Sequence, residues 1–505
     1  MAGRDDLYKI LAAIDGKQYQ KYKELVGTFE MGTYTLHVDR IQGSPSSEHS
    51  AMRATVPLPK SGFPADTYSN VSRRTALADL VARRFWESAR TDLKSVSIPR
   101  PGQEILGRGS VMVAEKYIGV SFSFDLPAAG KNVAGKTATD MFKVLDSLVA
   151  ASLFFKSYKK SKLYNHIETS ENADHMRSVL SEKGLKSFVG NGSVLPRRED
   201  GLAPMIKAVS FVSPKPLEVT IDVPNGPSVS GMGIPRGMTV IAGGTGTGRT
   251  VLADAVYAGV HNHIPGDGRE TVVTDDTAFY VSKADGRSAN NVDMTVFARV
   301  KGDTLTSENL CGPLSASVSM AEAAEVGCTL FVMDEGSCYP AVLGMDPMLR
   351  TMMTKDEPVI PLSDLTVDIR SKISIIAVCG SDDAVSAADT VIVMSAFLPV
   401  RISRKTPRKA ADKAFRSPAE RRPLIRNNEE SRTDTVGMRF PSDQSYVSSL
   451  TGIVDAMRER MDGSHTIRSL SSENVRHAPT CVSVRKMDVA MLMNRMTSVS
   501  MIRRS

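Results

Sequence analysis

The residues best suited to chemistry lie in one short stretch, Gly243-Gly244-Thr245-Gly246-Thr247-Gly248-Arg249-Thr250. Glycines at this spacing let the backbone turn its N–H groups inward. A helix starting directly afterwards adds unpaired amides, and together they make a cradle for phosphate. The stretch fits G-x-x-x-x-G-[K/R]-T, and Thr250 is placed to put its hydroxyl on a magnesium ion. The motif requires a strand before it and a helix after it. Met238-Thr239-Val240-Ile241-Ala242 is an apolar run fit for a buried parallel strand, and Val251 to Val260 reads as an apolar helix. In that setting an empty Gly-rich turn is the weaker reading. Arg249 departs from the usual lysine. A guanidinium is larger, planar and forked, so it can hold phosphate while displacing the geometry that hydrolysis needs. Weakened hydrolysis is therefore expected.

A second buried-strand run, Cys328-Thr329-Leu330-Phe331-Val332-Met333, ends in Asp334-Glu335. Asp334 can organise the magnesium hydration shell, and Glu335 can polarise an attacking water, which makes it the candidate catalytic base. A third run, Ile373 to Val378, ends at Cys379-Gly380-Ser381-Asp382-Asp383, and a fourth, Thr390 to Met394, follows Asp389. ABC-type domains carry a switch histidine after the third run and a glutamine earlier. Between Gly243 and Met394 the histidines are His261 and His263, and there is no glutamine. Ser381, Asp382 and Asp383 could replace the switch as polar contacts, or simply cap the next segment; both readings stand.

The elements that must position these groups form an α/β pattern of strand and helix units from about 205 to 398. At 505 residues the chain has room for roughly three domains, divided here as 1–204, 205–398 and 399–505. The first region mixes helices (Leu77 to Ser88, Ala138 to Phe155) with alternating strands such as Tyr34 to Val38. The last ends in a Met-rich helix near Lys486 to Met496 whose stripe reads as core packing. No apolar run approaches the ~20 residues of a membrane-spanning helix, so no membrane insertion is expected. The N-terminus, with Asp5 and Asp6, has no apolar h-region and no clear presequence. The five cysteines show no CxxC pairing, which argues against a zinc site and suits buried thiols in a reduced compartment.

The net charge of +7 is uneven: from Arg401 to Arg426, ten Lys and Arg face only Asp412 and Glu420. Such a run is a solvated arm or the footprint of a polyanion.

Longer strings carry a resemblance. They include Leu36-His37-Val38-Asp39-Arg40-Ile41-Gln42-Gly43, Arg100-Pro101-Gly102-Gln103-Glu104, Gly190-Asn191-Gly192-Ser193, Asn262-His263-Ile264-Pro265-Gly266-Asp267-Gly268-Arg269-Glu270 and Asp285-Gly286-Arg287-Ser288. With them the chain resembles, over nearly its whole length, the predicted ATPases of the ABC class found in bacteria and some eukaryotes. The resemblance implies an ABC-type P-loop core flanked by an α+β N-terminal domain and a C-terminal domain. It implies ATP and Mg2+ as ligands, and a homodimer in which the signature helix of one protomer closes on nucleotide held by the other. In this chain that signature is reduced to Cys311-Gly312-Pro313-Leu314-Ser315. Gly312 and Ser315 remain as candidate γ-phosphate contacts, while Pro313 removes a backbone donor. A kinetoplastid relative is an RNA-editing factor whose flanking domains line a basic pore, so RNA is the expected partner. An intracellular location is expected, with the mitochondrion suggested by that relative. A catalytically degenerate scaffold for RNA or protein assembly is the alternative, and the ATPase subunit of a transporter a weaker third.

Overall fold

The computed structural model describes residues 2–199, 201–345, 358–365, 372–404, 416–421, 437–443, 445–474, 480–496 and 499–503. They form two compact units.

The first unit comprises Met1–Glu171 with Asp443–Tyr446 and Thr480–Ser483. Its seven-stranded sheet runs Ala2–Gly3, Gly27–Glu30, Thr35–Arg40, Ser50–Pro57, Tyr117–Phe124 and Val96–Ser97, and Val111–Val113 also pairs with Tyr117–Phe124. Alternation in Ser50–Pro57 sends Met52, Ala54 and Val56 inward. The helices Val71–Asp92 and Gly135–Ser152 cover that sheet, with Phe85 tilted on Phe122 and Phe142 edge-on to Phe124. Leu145, Leu148 and Val149 are buried, as expected of this apolar helix. Asp79 is fully buried beneath Arg83, Arg108 and His166. Burial would raise its pKa, but Arg83 and Arg108 outweigh that and hold its carboxyl well below the ordinary range.

The second unit comprises Asn172–Ser442, Val447–Pro479 and Val484–Ser505. Its main sheet has strands β1 (Met238–Gly243), β2 (Phe279–Val281), β3 (Leu330–Asp334), β4 (Ser374–Val378), β5 (Thr390–Ser395) and β6 (Leu398–Arg404), in the order β2-β3-β4-β1-β5-β6. The pairs β2–β3, β3–β4, β4–β1 and β1–β5 are parallel, and β6 closes the edge antiparallel to β5. Strands β3 and β4 are buried along their whole length, which is why they read as continuous apolar runs. A second, antiparallel sheet runs Glu218–Ile221, Val229–Pro235, Leu185–Gly190 and Val272–Thr274. Helix α1 (Arg249–Ala258) packs between the two sheets. Leu252 and Val256 share one core with Val189 and Met232 of the small sheet and with Ile241, Val332 and Ile376 of the large one. Helix α2 (Gly312–Glu325) belongs to the same unit.

Two boundaries differ from the division by sequence. Residues 172–199, expected in the N-terminal region, fold with the core because Leu185–Gly190 pairs on both sides with core strands. Residues 399–404 complete β6, so the opening of the expected C-terminal region is an edge of the core sheet. The Met-rich helix Lys486–Asn494 has its residues from Met487 to Asn494 buried, which is core packing. Of the basic run, Lys405, Arg408, Lys409, Lys413, Arg422 and Arg426 lie outside the described residues. Among the described residues no helix is long and apolar enough to cross a membrane.

Candidate functional site

The site is built where β1 gives way to α1. Gly243 has φ +141°, and a β-carbon there would stand 2.5 Å from the Met394 carbonyl oxygen, so only glycine fits. Gly246 and Gly248 also take left-handed φ of +74° and +90°. The crest, Gly244, Thr245 and Gly246, is exposed to solvent. Thr247 Oγ1 donates to the Gly244 carbonyl at 2.8 Å, which closes the turn on itself. Leu252 N bonds back to Gly248 O at 3.0 Å, so α1 begins at once and its first amides face the turn. The side chain of Arg249, the first residue of α1, makes no hydrogen bond or ion pair with a described residue.

The acidic pair comes to the same place from β3. Thr250 Oγ1 donates to Asp334 Oδ2 at 2.6 Å. The other oxygen of Asp334 accepts from Gly336 N at 2.9 Å, and the side chain caps the short turn that follows. A hydroxyl and a carboxylate converging on one point form a hard oxygen set of the kind magnesium takes alongside phosphate oxygens and water, so these residues fit that ion. Glu335 turns the other way: its Oε2 accepts from Gly380 N, after β4, at 2.9 Å. Burial, with Glu335 adding to it, pushes the Cys379 thiol up to about 11, and burial likewise raises Cys338. Cys328 is also buried, whereas Cys311 and Cys481 are exposed, contrary to the expectation of buried thiols.

Ser381 accepts from Ala384 N at 3.2 Å and caps the helix Asp382–Ala387. Asp383 accepts from Ser363 Oγ at 2.6 Å and from Met345 N at 3.1 Å, and so ties loops together. Asp382 lies exposed in the first turn of that helix.

Gly312 and Ser315, expected to face nucleotide held by a second protomer, make their bonds within their own. Gly312 N donates to Asp285 Oδ1 at 2.7 Å. Ser315 is fully buried: its hydroxyl donates to Gly312 O at 2.7 Å and accepts from Ala284 N at 3.0 Å. The single donor of that hydroxyl is engaged within the protomer. Further along α2, Glu322 accepts at both oxygens from Nη2 of the fully buried Arg287, at 2.8 and 2.7 Å, and Ser319 accepts from its Nη1 at 2.8 Å. Tyr339, at φ +73°, reaches the second oxygen of Asp285 at 3.4 Å.

Three participants were not picked out from sequence. Gly380 acts through its backbone and has no side-chain signal. Asp285 sits in a string noted only for resemblance. Phe397 stands in the β5–β6 turn beside Gly248, and the two closely spaced apolar runs were the available signal.

The family model for the ABC ATPase P-loop domain matches residues 159–430, and that for the N-terminal domain of ATPases of the ABC class matches residues 4–156. No curated protein matches. Among solved structures, a bacterial Atm1-family ABC exporter with ATP bound shares 13% identity over 54% of this chain and 48% of its own, with a TM-score of 0.26. This chain thus spans about half of that exporter's length. The cbiO1 part of the cbiONQ ABC transporter complex from Clostridium perfringens shares 14% identity over 44% of this chain and 89% of its own, with a TM-score of 0.27.

Proposed function

The chain belongs to the ABC class of P-loop ATPases, and from that premise we propose that it binds ATP with magnesium, hydrolyses it slowly, and binds RNA as a homodimer. The observation that carries nucleotide binding is the 2.6 Å bond from Thr250 to Asp334 at the foot of an exposed glycine loop. The amides of 244–250 hold the phosphates, and Arg249 adds a forked positive charge. Thr250 and Asp334 would hold magnesium, which when bound neutralises phosphate charge. Glu335 keeps one oxygen on Gly380 N and offers the other to a water, as general base.

Slow turnover follows from three features. Arg249 replaces a compact ammonium, Ser315 is spent inside its own protomer, and Pro313 lacks an N–H. The same features favour a second reading, a nucleotide-bound scaffold for RNA or protein assembly with no turnover. RNA as partner is supported by the basic stretch at 401–426 and by the kinetoplastid resemblance, which also suggests an intracellular, mitochondrial location.

Equilibrium binding and single-turnover hydrolysis of ATP by the purified chain separate the readings. Slow turnover abolished in Glu335→Gln, with binding kept, supports the ATPase. Equal inactivity in both supports the scaffold. Arg249→Lys should raise turnover. RNA affinity should fall steeply with salt, in proportion to the phosphates contacted. A slope near zero removes RNA.

A further inference from the structure

Strands β5 and β6 are joined by the tightest of hairpins. Ser395 pairs with Leu398, so Ala396 and Phe397 alone form the turn. Both are left-handed, at φ +47° and +68°. That backbone is normally supplied by Asn-Gly or Gly-Gly, and a bulky aromatic residue there is strained. Burial of the ring could offset the strain, but Phe397 is 57% exposed. Among the described residues it is the one aromatic side chain that is exposed. The protein alone therefore gains little from a phenyl ring at this position.

The ring stands against the phosphate loop. A β-carbon on Gly248 would lie 3.4 Å from Phe397 Cδ1, and one on Gly243 would lie 2.5 Å from Met394 O in the same hairpin. The hairpin is thus fastened to both ends of the loop, and its turn holds a flat apolar face beside the first residue of α1. A nucleotide with its phosphates in the loop has its base one ribose away. Strained, exposed residues next to a binding loop are where ligand contacts are sought.

We propose that Phe397 is the platform on which the base of the bound nucleotide stacks, with purines preferred over pyrimidines for their larger face. This rests on the nucleotide-binding reading above and adds the residue that reads the base. The ring offers no hydrogen bond, so it does not tell adenine from guanine.

The test compares ATP with inorganic tripolyphosphate, both with magnesium, on the full chain. Wild type should bind both. Phe397→Ala should weaken ATP about tenfold, in line with the loss of one base–aromatic stack, and leave tripolyphosphate unchanged. Phe397→Gly relieves the turn, so it should melt no lower than wild type yet show the same loss, and Phe397→Tyr should restore ATP affinity. Trp86 is the only tryptophan. Phe397→Trp in a Trp86→Phe background should therefore give fluorescence quenched by ATP and not by tripolyphosphate. If wild type binds both ligands and the Ala and Gly variants keep full ATP affinity, or lose both ligands equally, the platform is overturned while the loop stands. If wild type binds neither, nucleotide binding itself fails and the platform with it.

Discussion

Two helices of the core begin beside loops with functional sequence signatures, and they begin in opposite ways. Helix α1 opens on an exposed glycine turn, with a guanidinium that has no hydrogen bond or ion pair to a described residue and a threonine aimed at an acid. Helix α2 opens on a carboxylate that the protein supplies itself, since Asp285 takes the Gly312 amide. Its next residue is Pro313, and its Ser315 hydroxyl is closed inside the fold. A helix start attracts anions through unpaired amides and its dipole. The first start leaves its amides to the exposed turn, while at the second Asp285 takes the amide of Gly312 and Pro313 has none.

The comparison can be broken most forcefully in the last turn of α2, where Arg287 holds Glu322. Arg287→Met would leave Glu322 as a buried, unpaired charge and should cost about 3–5 kcal/mol in chemical denaturation. Adding Glu322→Leu should recover most of that loss. If the single variant is as stable as wild type, α2 is not pinned as described.

Next in size is Thr250→Val. It removes the hydroxyl from Asp334, so ATP affinity in magnesium should fall roughly tenfold and the difference between magnesium and chelator should nearly vanish. Calorimetric titration with and without chelator checks this. An unchanged response to magnesium would separate Thr250 from the ion.

A smaller effect is expected of Asp285→Ala. Loss of an exposed carboxylate cap at a helix start costs on the order of 1 kcal/mol. The thermal midpoint should drop by a few degrees, with ATP affinity at α1 unchanged. A shift in ATP affinity would mean that the two starts are coupled.

The smallest effect concerns Cys311, the exposed residue that precedes α2. Alkylation at neutral pH should label Cys311 and Cys481, leave buried Cys379 untouched because burial keeps it a thiol up to about pH 11, and change ATP affinity less than twofold.

In the first unit, acid response follows from Asp79. Its folded pKa is depressed, so its contribution is present above the ordinary value of 3.8 and is lost as pH falls below it. Melting curves should be flat from pH 7 to 5 and fall steeply under pH 4. Asp79→Asn should flatten the fall.

The α1 half of this contrast was legible in the sequence. The loop, its flanking strand and helix, and Asp334 are contiguous runs whose meaning is local. The α2 half was not. Nothing in Gly312-Pro313-Leu314-Ser315 says that Ala284 and Asp285, some 30 residues earlier, hold it. The small sheet was equally hidden, because Leu185–Gly190 finds its partners only in three dimensions. Ala396-Phe397 escaped notice because neither residue is one that tight hairpins use.

The satisfied start of α2 also bears on how such a chain can change over generations. Asp285 takes the Gly312 amide, Ser315 joins Gly312 to Ala284, and Arg287 pairs with Glu322, so replacing any one of these alone exposes a group it had matched. Remodelling the start of α2 would require several simultaneous replacements, whereas a lysine for Arg249 is a single step. One half of the machinery is open to single changes, and the other is held by mutual dependence.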